Sequence, residues 1–172
     1  MEKYPLAIRI THWLMALLII ALLTVGLIMT GISRSDSLHK TLYGLHKSFG
    51  VVVLCLWLLR VCLRLKLGVP ALPEAIPATD KKLAYSGHYL FYLFMIAMPL
   101  SGILMTNAFG FPVSFFGFEL PRLIGADKPM GQIFRDFHGY AAYALIGLIG
   151  LHVAGVIKHR LKERVNLLQR MI

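Results

Sequence analysis

The chain has 172 residues, of which 58% are hydrophobic, and it carries a formal net charge of +10. A mean hydropathy of +0.70 excludes a soluble domain of ordinary composition. The predicted fold class is therefore all-α, an integral membrane four-helix bundle.

Four apolar segments predict membrane-spanning helices, and the whole chain, residues 1–172, is predicted to form one transmembrane domain. The first is too long for a cleavable signal peptide and lacks a small-residue cleavage site. Pro99 falls inside the third and is expected to kink it. The predicted helices cover approximately residues 7–32, 46–67, 83–106 and 137–158.

The external segment 107–136 joins the third and fourth predicted helices. It contains glycine and proline breakers beside apolar stretches such as FPVSFFGF. We expect it to lie along the membrane interface or to cap the bundle.

The basic residues are unevenly divided between the two ends of the predicted bundle. Twelve of the 18 lysines and arginines lie at the amino end (Lys3 and Arg9), between Arg60 and Lys82, or after Ile157. The positive-inside rule then places both termini in the cytoplasm. The net charge is thus a topology signal, and no nucleic-acid partner is expected.

His138 and His152 lie fourteen residues apart within the uncharged run FHGYAAYALIGLIGLHVAGVI. On an α-helix this spacing gives a rise of roughly 21 Å and a return to within about 40° of the same face. A histidine inside the hydrocarbon indicates a functional site. The two imidazoles are therefore predicted to lie in one seam, one near each membrane surface.

Depth, counted from the nearest charged residue, matches these two histidines with partners on other helices. His46 and His138 lie towards the outer side, and His12 and His152 towards the inner side. Two imidazoles on opposite sides of an iron give a haem of the electron-transfer type. The pattern predicts two b-type haems, with Gly26, one of several small residues nearby, leaving room for a flat macrocycle.

Two further inner histidines keep the inner site open. His88 lies at a depth close to that of His152, so it competes with His12 as a ligand. His88 and His159 are also candidates for a quinone site, because imidazole titrates near neutral pH. For His159 the alternative is a solvated residue in a basic tail.

Arg60 shares the helical face of His46 but lies near the inner level, fourteen residues further on. One interpretation is that it pairs with a propionate of the inner haem. The alternative is that it snorkels to the cytoplasmic interface.

The segments RITHWLMALL, GLHKSFGVVVLCLWLLRVCLRL, GHYLFYLFMIAMPLSGILM and FHGYAAYALIGLIGLHVAGVIKH resemble the prokaryotic cytochrome b561 family. These are four-helix dihaem proteins of the bacterial inner membrane, and the resemblance covers nearly the whole chain. It implies an inner haem held by His12 and His152 and an outer haem held by His46 and His138. It thereby favours His12 over His88.

The resemblance also implies candidate reactions. Stand-alone members include a superoxide oxidase, which takes electrons from superoxide at the periplasmic face and reduces ubiquinone. Other relatives are non-enzymatic anchor subunits that pass electrons between a partner dehydrogenase, or a periplasmic redox donor, and the quinone pool. Because the chain is short, the predicted function is superoxide:ubiquinone oxidoreduction, with the anchor role as the alternative.

Two features of the sequence bear on these alternatives. Basic residues on the outer side, Lys47 among them, would attract an anionic donor, although four acidic residues reduce the net outer charge to +2. A third alternative is a transporter or ion-conducting bundle whose histidines relay protons. It would need acidic residues in the helices, and their absence from the first and fourth predicted spans disfavours it.

Overall fold

The computed structural model describes residues 1–172 and confirms the predicted all-α membrane bundle. Each of its four long helices is long and apolar enough to cross a membrane. They are α1 (Leu6–Thr30), α2 (Ser37–Leu67), α3 (Ala78–Ala108) and α4 (Lys128–Leu161), followed by a short 3₁₀ helix, η1 (Leu167–Arg170).

Two helices begin nine residues before their predicted starts, because aspartate side chains cap them. Asp36 accepts a hydrogen bond from the Leu38 amide at 2.8 Å, which starts α2 at Ser37. Asp127 accepts one from the Met130 amide at 3.0 Å, which starts α4 at Lys128. Such caps satisfy amides that have no partner within the helix. Much of the polar sequence assigned to external connections is therefore helical. α3 continues through Pro99 as one helix.

The rest of the connection between α3 and α4 forms a two-stranded antiparallel hairpin. Its strands, β1 (Val113–Phe115) and β2 (Phe118–Leu120), are joined by Phe116 and Gly117. Both joining residues have positive φ, 48° and 94°, as the favoured two-residue hairpin turns require. The hydroxyl of Ser48 on α2 accepts the Phe116 amide at 3.0 Å and so attaches the hairpin to the bundle.

The bundle has two distinct ends. The hairpin end carries the α1–α2 connection and the β-hairpin; the terminal end carries both termini and the α2–α3 connection. At the terminal end, Arg170 is buried and donates hydrogen bonds to the carbonyls of Glu2, Pro70 and Ala71. η1 thereby joins three separate parts of the chain.

The helices pack as two pairs, α1 with α2 and α3 with α4, and α2 also packs on α3. A small core of Met15, Val53 and Met95 holds the first three helices together. α4 does not pack along α1 or α2. A seam therefore runs between α4 and the first two helices.

Candidate haem sites

The two histidines predicted at the outer level face each other across the seam at the hairpin end. The ring centroids of His46 on α2 and His138 on α4 are 6.2 Å apart, with the ring planes inclined at 73°. Imidazole–metal bonds of about 2.0–2.1 Å, with a ring radius of about 1.1 Å, separate two trans ligands by about 6.3 Å. The observed spacing fits two imidazoles on opposite sides of one iron.

Hydrogen bonding of His138 Nδ1 indicates which ring nitrogen is available to bind a metal. The Ser101 hydroxyl donates to the Met98 carbonyl at 2.8 Å, and its oxygen lies 2.9 Å from His138 Nδ1. Because the hydroxyl proton is used by Met98, Ser101 accepts from Nδ1–H. Nε2 then keeps its lone pair, which is the form of imidazole that binds a metal.

Glycines on neighbouring helices lie directly behind both of these histidines. A Cβ built on Gly26 would lie 3.4 Å from His46 Cε1, and one on Gly102 would lie 3.4 Å from His138 Cε1. A larger side chain at either position would push the imidazole into the seam. The sequence pointed to Gly26. The sequence analysis missed Gly102 and Ser101. The only feature that could have indicated them is that two small residues stand side by side in the third apolar segment.

Three histidines meet at the terminal end, where the sequence left the ligand pair open. The His152 ring centroid lies 6.4 Å from that of His12 and 6.0 Å from that of His88. Phe91, which sequence reasoning missed, stands edge-on to His152 at 5.3 Å. Both distances suit a trans pair, so the geometry by itself does not choose between His12 and His88.

Arg60 is buried beside this cluster, with 8% of its surface exposed. Its Nη1 donates to the Ile8 carbonyl at 2.7 Å and to the Thr11 hydroxyl at 3.2 Å, one residue before His12. The guanidinium is thus fixed on the first two turns of α1, at the terminal end of the bundle. No carboxylate of the protein neutralises it.

His159 lies two turns beyond His152 on α4 and is only 7% exposed. The interpretation of His159 as a solvated residue of the basic tail is therefore wrong. Its Nδ1 is 3.1 Å from a carboxylate oxygen of Glu163. Asp80 on α3, which pairs with Lys158 at 2.5 Å, belongs to the same cluster. The ligand-capable atoms of Asp80, His159 and Glu163 lie within 4.8 Å of one another.

Comparison with known proteins decides the family. The chain matches the prokaryotic cytochrome b561 family over residues 3–172. The chain belongs to the prokaryotic cytochrome b561 family. Membership implies b-type haem and electron transfer, and with the four spans it makes this a multi-pass protein of the bacterial inner membrane.

Individual members of the family are similar along nearly their whole length. Cytochrome b561 homolog 2 of Escherichia coli K12 is 29% identical, covering 99% of this chain and 92% of the relative. A probable superoxide oxidase, CybB, of Yersinia pestis is 27% identical, covering 94% and 90%. Cytochrome b561 homolog 1 of E. coli K12 is 25% identical, covering 94% and 92%.

The residues at both ends of the seam fit the haem that the family implies. Imidazole is a usual axial ligand of b-type haem. His46 faces His138 at one end of the seam, and His152 faces both His12 and His88 at the other, with ring centroids 6.0–6.4 Å apart. The unpacked seam and the two backing glycines leave room between the helices for a flat macrocycle.

Proposed function

We propose that the protein carries electrons across the inner membrane through two b-type haems and passes them to ubiquinone, with superoxide as the donor. The hairpin-end haem would be held by His46 and His138, and the terminal-end haem by His152 with His12. We place the terminal end in the cytoplasm, because twelve of the 18 basic residues lie there.

The observation that carries this proposal is the presence of an imidazole pair at each end of one seam. The pairs share α4, where His138 and His152 are separated by a rise of roughly 21 Å. When bound, haem supplies reversible one-electron chemistry, while the protein fixes its position and potential. The chain's own part is to hold two irons at opposite membrane depths.

The proposed reaction balances with two superoxide anions for each quinone. Each superoxide loses one electron and leaves as dioxygen; two electrons and two protons convert ubiquinone to ubiquinol. The terminal-end cluster of Asp80, His159 and Glu163 supports quinone reduction on that side, because it offers groups that can exchange protons at the same end of the bundle as His88. The similarity to a probable superoxide oxidase supports the choice of donor.

Arg60 is the candidate partner of a terminal-end haem propionate. It is buried, and no carboxylate of the protein neutralises its charge. It donates hydrogen bonds to Ile8 and Thr11, which lie within about one helical turn of His12 on α1. A buried guanidinium without a carboxylate is costly, and a propionate would offset that cost.

The first test is the visible spectrum of the purified protein reduced with dithionite. We expect b-type α and Soret bands and two haems per chain. His152→Ala should remove only the terminal-end haem and leave one per chain. A colourless wild-type protein, or loss of both haems from a folded His152→Ala variant, would contradict the assignment.

Histidine variants on α1 and α3 resolve the terminal-end pair. If His12 is the partner of His152, His12→Ala leaves one haem per chain while His88→Ala retains two. The reverse result would assign the ligand to His88 and leave His12 without that role.

The donor is tested by following ubiquinone reduction by the purified protein with a superoxide source. We expect a rate well above that without protein, abolished by superoxide dismutase. A rate equal to the protein-free control would reject superoxide as the donor.

The second candidate function is a non-enzymatic anchor that receives electrons from a partner protein. Phe111 and Phe118 at the hairpin end are 65% and 76% exposed, and exposed apolar residues of this kind favour a docking surface. Under this alternative, the isolated protein would contain both haems but would show no superoxide-dependent quinone reduction.

A further inference from the structure

Lys47 is the only charged residue that lines the cavity around the hairpin-end histidines. The cavity also contacts Tyr43, His46 and His138, and its remaining walls are mainly apolar or small side chains of α1, α2 and α3 and Val113 of the hairpin. Lys47 therefore lies in the wall of the cavity that the two predicted haem ligands also line.

No carboxylate neutralises Lys47. The two ion pairs of the protein lie at the terminal end and use other residues. The contact the ammonium does make is with an aromatic face, since Nζ lies 4.5 Å from the centre of the Tyr43 ring. This cation–π contact fixes the ammonium on Tyr43, which also lines the cavity, and leaves the positive charge uncompensated.

The other basic residues of this end are placed differently. Lys40 is exposed two turns earlier on α2, and Arg122 donates to the Gly110 carbonyl. The net charge of the whole end is only +2, too small for a strong long-range field at physiological salt. Any attraction for an anion must come from a local charge at the cavity.

We propose that Lys47, held by Tyr43, forms a binding site for small anionic one-electron donors at the hairpin-end cavity and selects them by charge. A donor at this site gives up one electron towards the His46–His138 pair; a superoxide anion leaves as dioxygen, and no proton moves. The proposal rests on the proposed haem at this end but does not require superoxide to be the natural donor.

The test uses two redox reagents of opposite charge on the haem-loaded, reduced protein. Loss of the α band is followed by stopped flow with ferricyanide, which carries three negative charges, and with hexaammineruthenium(III), which carries three positive charges. Lys47→Gln should slow oxidation by ferricyanide about tenfold at low ionic strength and speed oxidation by the ruthenium complex. For singly charged superoxide the same change should slow the reaction about twofold.

Salt and matched variants complete the test. The ferricyanide difference should largely vanish at about 1 M salt, where the Debye length is about 3 Å. Lys47→Arg should keep the wild-type rates. Lys40→Gln, on the same face of α2 but outside the cavity, should change either rate less than twofold.

Each contrary result has a distinct meaning. Equal effects on both reagents, or none on either, would overturn the proposal. Haem loss or a shifted midpoint potential without charge discrimination would instead assign Lys47 to a haem carboxylate, which also overturns it. Failure of the proposed function would show separately, as a protein without b-type bands or without superoxide-dependent quinone reduction.

Discussion

The Ser101 hydroxyl acts both as a hydrogen-bond donor and as an acceptor, and this affects how His138 can bind a metal. Its proton goes to the Met98 carbonyl and its oxygen receives Nδ1–H of His138. An imidazole that donates in this way is a more basic ligand through its other nitrogen. A more basic ligand favours ferric over ferrous iron, so the hydroxyl is expected to lower the potential of the proposed haem held by His46 and His138.

Replacing Ser101 by alanine removes that acceptor while leaving His138 in place. We expect the midpoint potential of the hairpin-end haem to rise and its retention during dialysis to fall by about 10-fold or more. Redox titration of the α band measures the first effect and pyridine haemochrome analysis the second. Thr24→Ala, at an exposed residue whose hydroxyl bonds only to the Ile20 carbonyl on the same helix, is the control; an unchanged potential in Ser101→Ala would contradict the argument.

Individual histidines were predictable from the sequence because membrane depth can be counted along a helix. The depth count paired His46 with His138 and His12 with His152, and the two rings of each pair are close in space. Depth could not separate His12 from His88, since both rings reach His152. Ser101 was missed because a serine on an apolar helix commonly bonds its own backbone, and only the fold brings its oxygen to α4.

The helices were predictable in number but not in length. Hydropathy detects the part of a helix that lies in hydrocarbon, and α2 and α4 each continue about two and a half turns beyond it as polar sequence. Their starts depend on the aspartate caps at positions 36 and 127, which the apolar pattern does not register. The β-hairpin was missed because its apolar residues, Phe115 and Phe118 among them, look like an interfacial segment.

The terminal end is held by one short element, η1, through a side chain that bonds to three carbonyls. Arg170→Ala would leave the Glu2, Pro70 and Ala71 carbonyls without this donor, and we expect a loss of about 2–4 kcal/mol in the free energy of unfolding. Thermal unfolding in detergent measures it. Arg164 lies in the same tail but is exposed, so Arg164→Ala should cost less than about 0.5 kcal/mol. Equal losses from the two variants would show that Arg170 stabilises the fold no more than an exposed arginine does.

For the whole molecule, we expect folding stability to depend on bound haem, because α4 makes few contacts with α1 and α2. α4 is attached mainly through α3, so haem ligated from both sides of the seam would supply the missing contact with α1 and α2. A ligand that binds only the folded state stabilises it in proportion to its affinity and concentration. We expect protein prepared without haem to unfold at a lower temperature and to be cleaved faster between α3 and α4.

Adding hemin to that preparation should restore both properties. The matched control is the double variant His46→Ala/His152→Ala, in which hemin should restore neither. Identical melting with and without haem in the wild-type protein would mean that the helices are held by their own packing.

The same pairing of helices has a consequence for how the protein is made. α1 with α2 and α3 with α4 are each a complete antiparallel helical hairpin, and each can insert into the bilayer as a separate unit. If the two units then associate through α2 and α3, the seam is the last part of the bundle to close. We therefore expect haem to enter laterally within the membrane, after synthesis of the transmembrane segments, without reopening either helix pair.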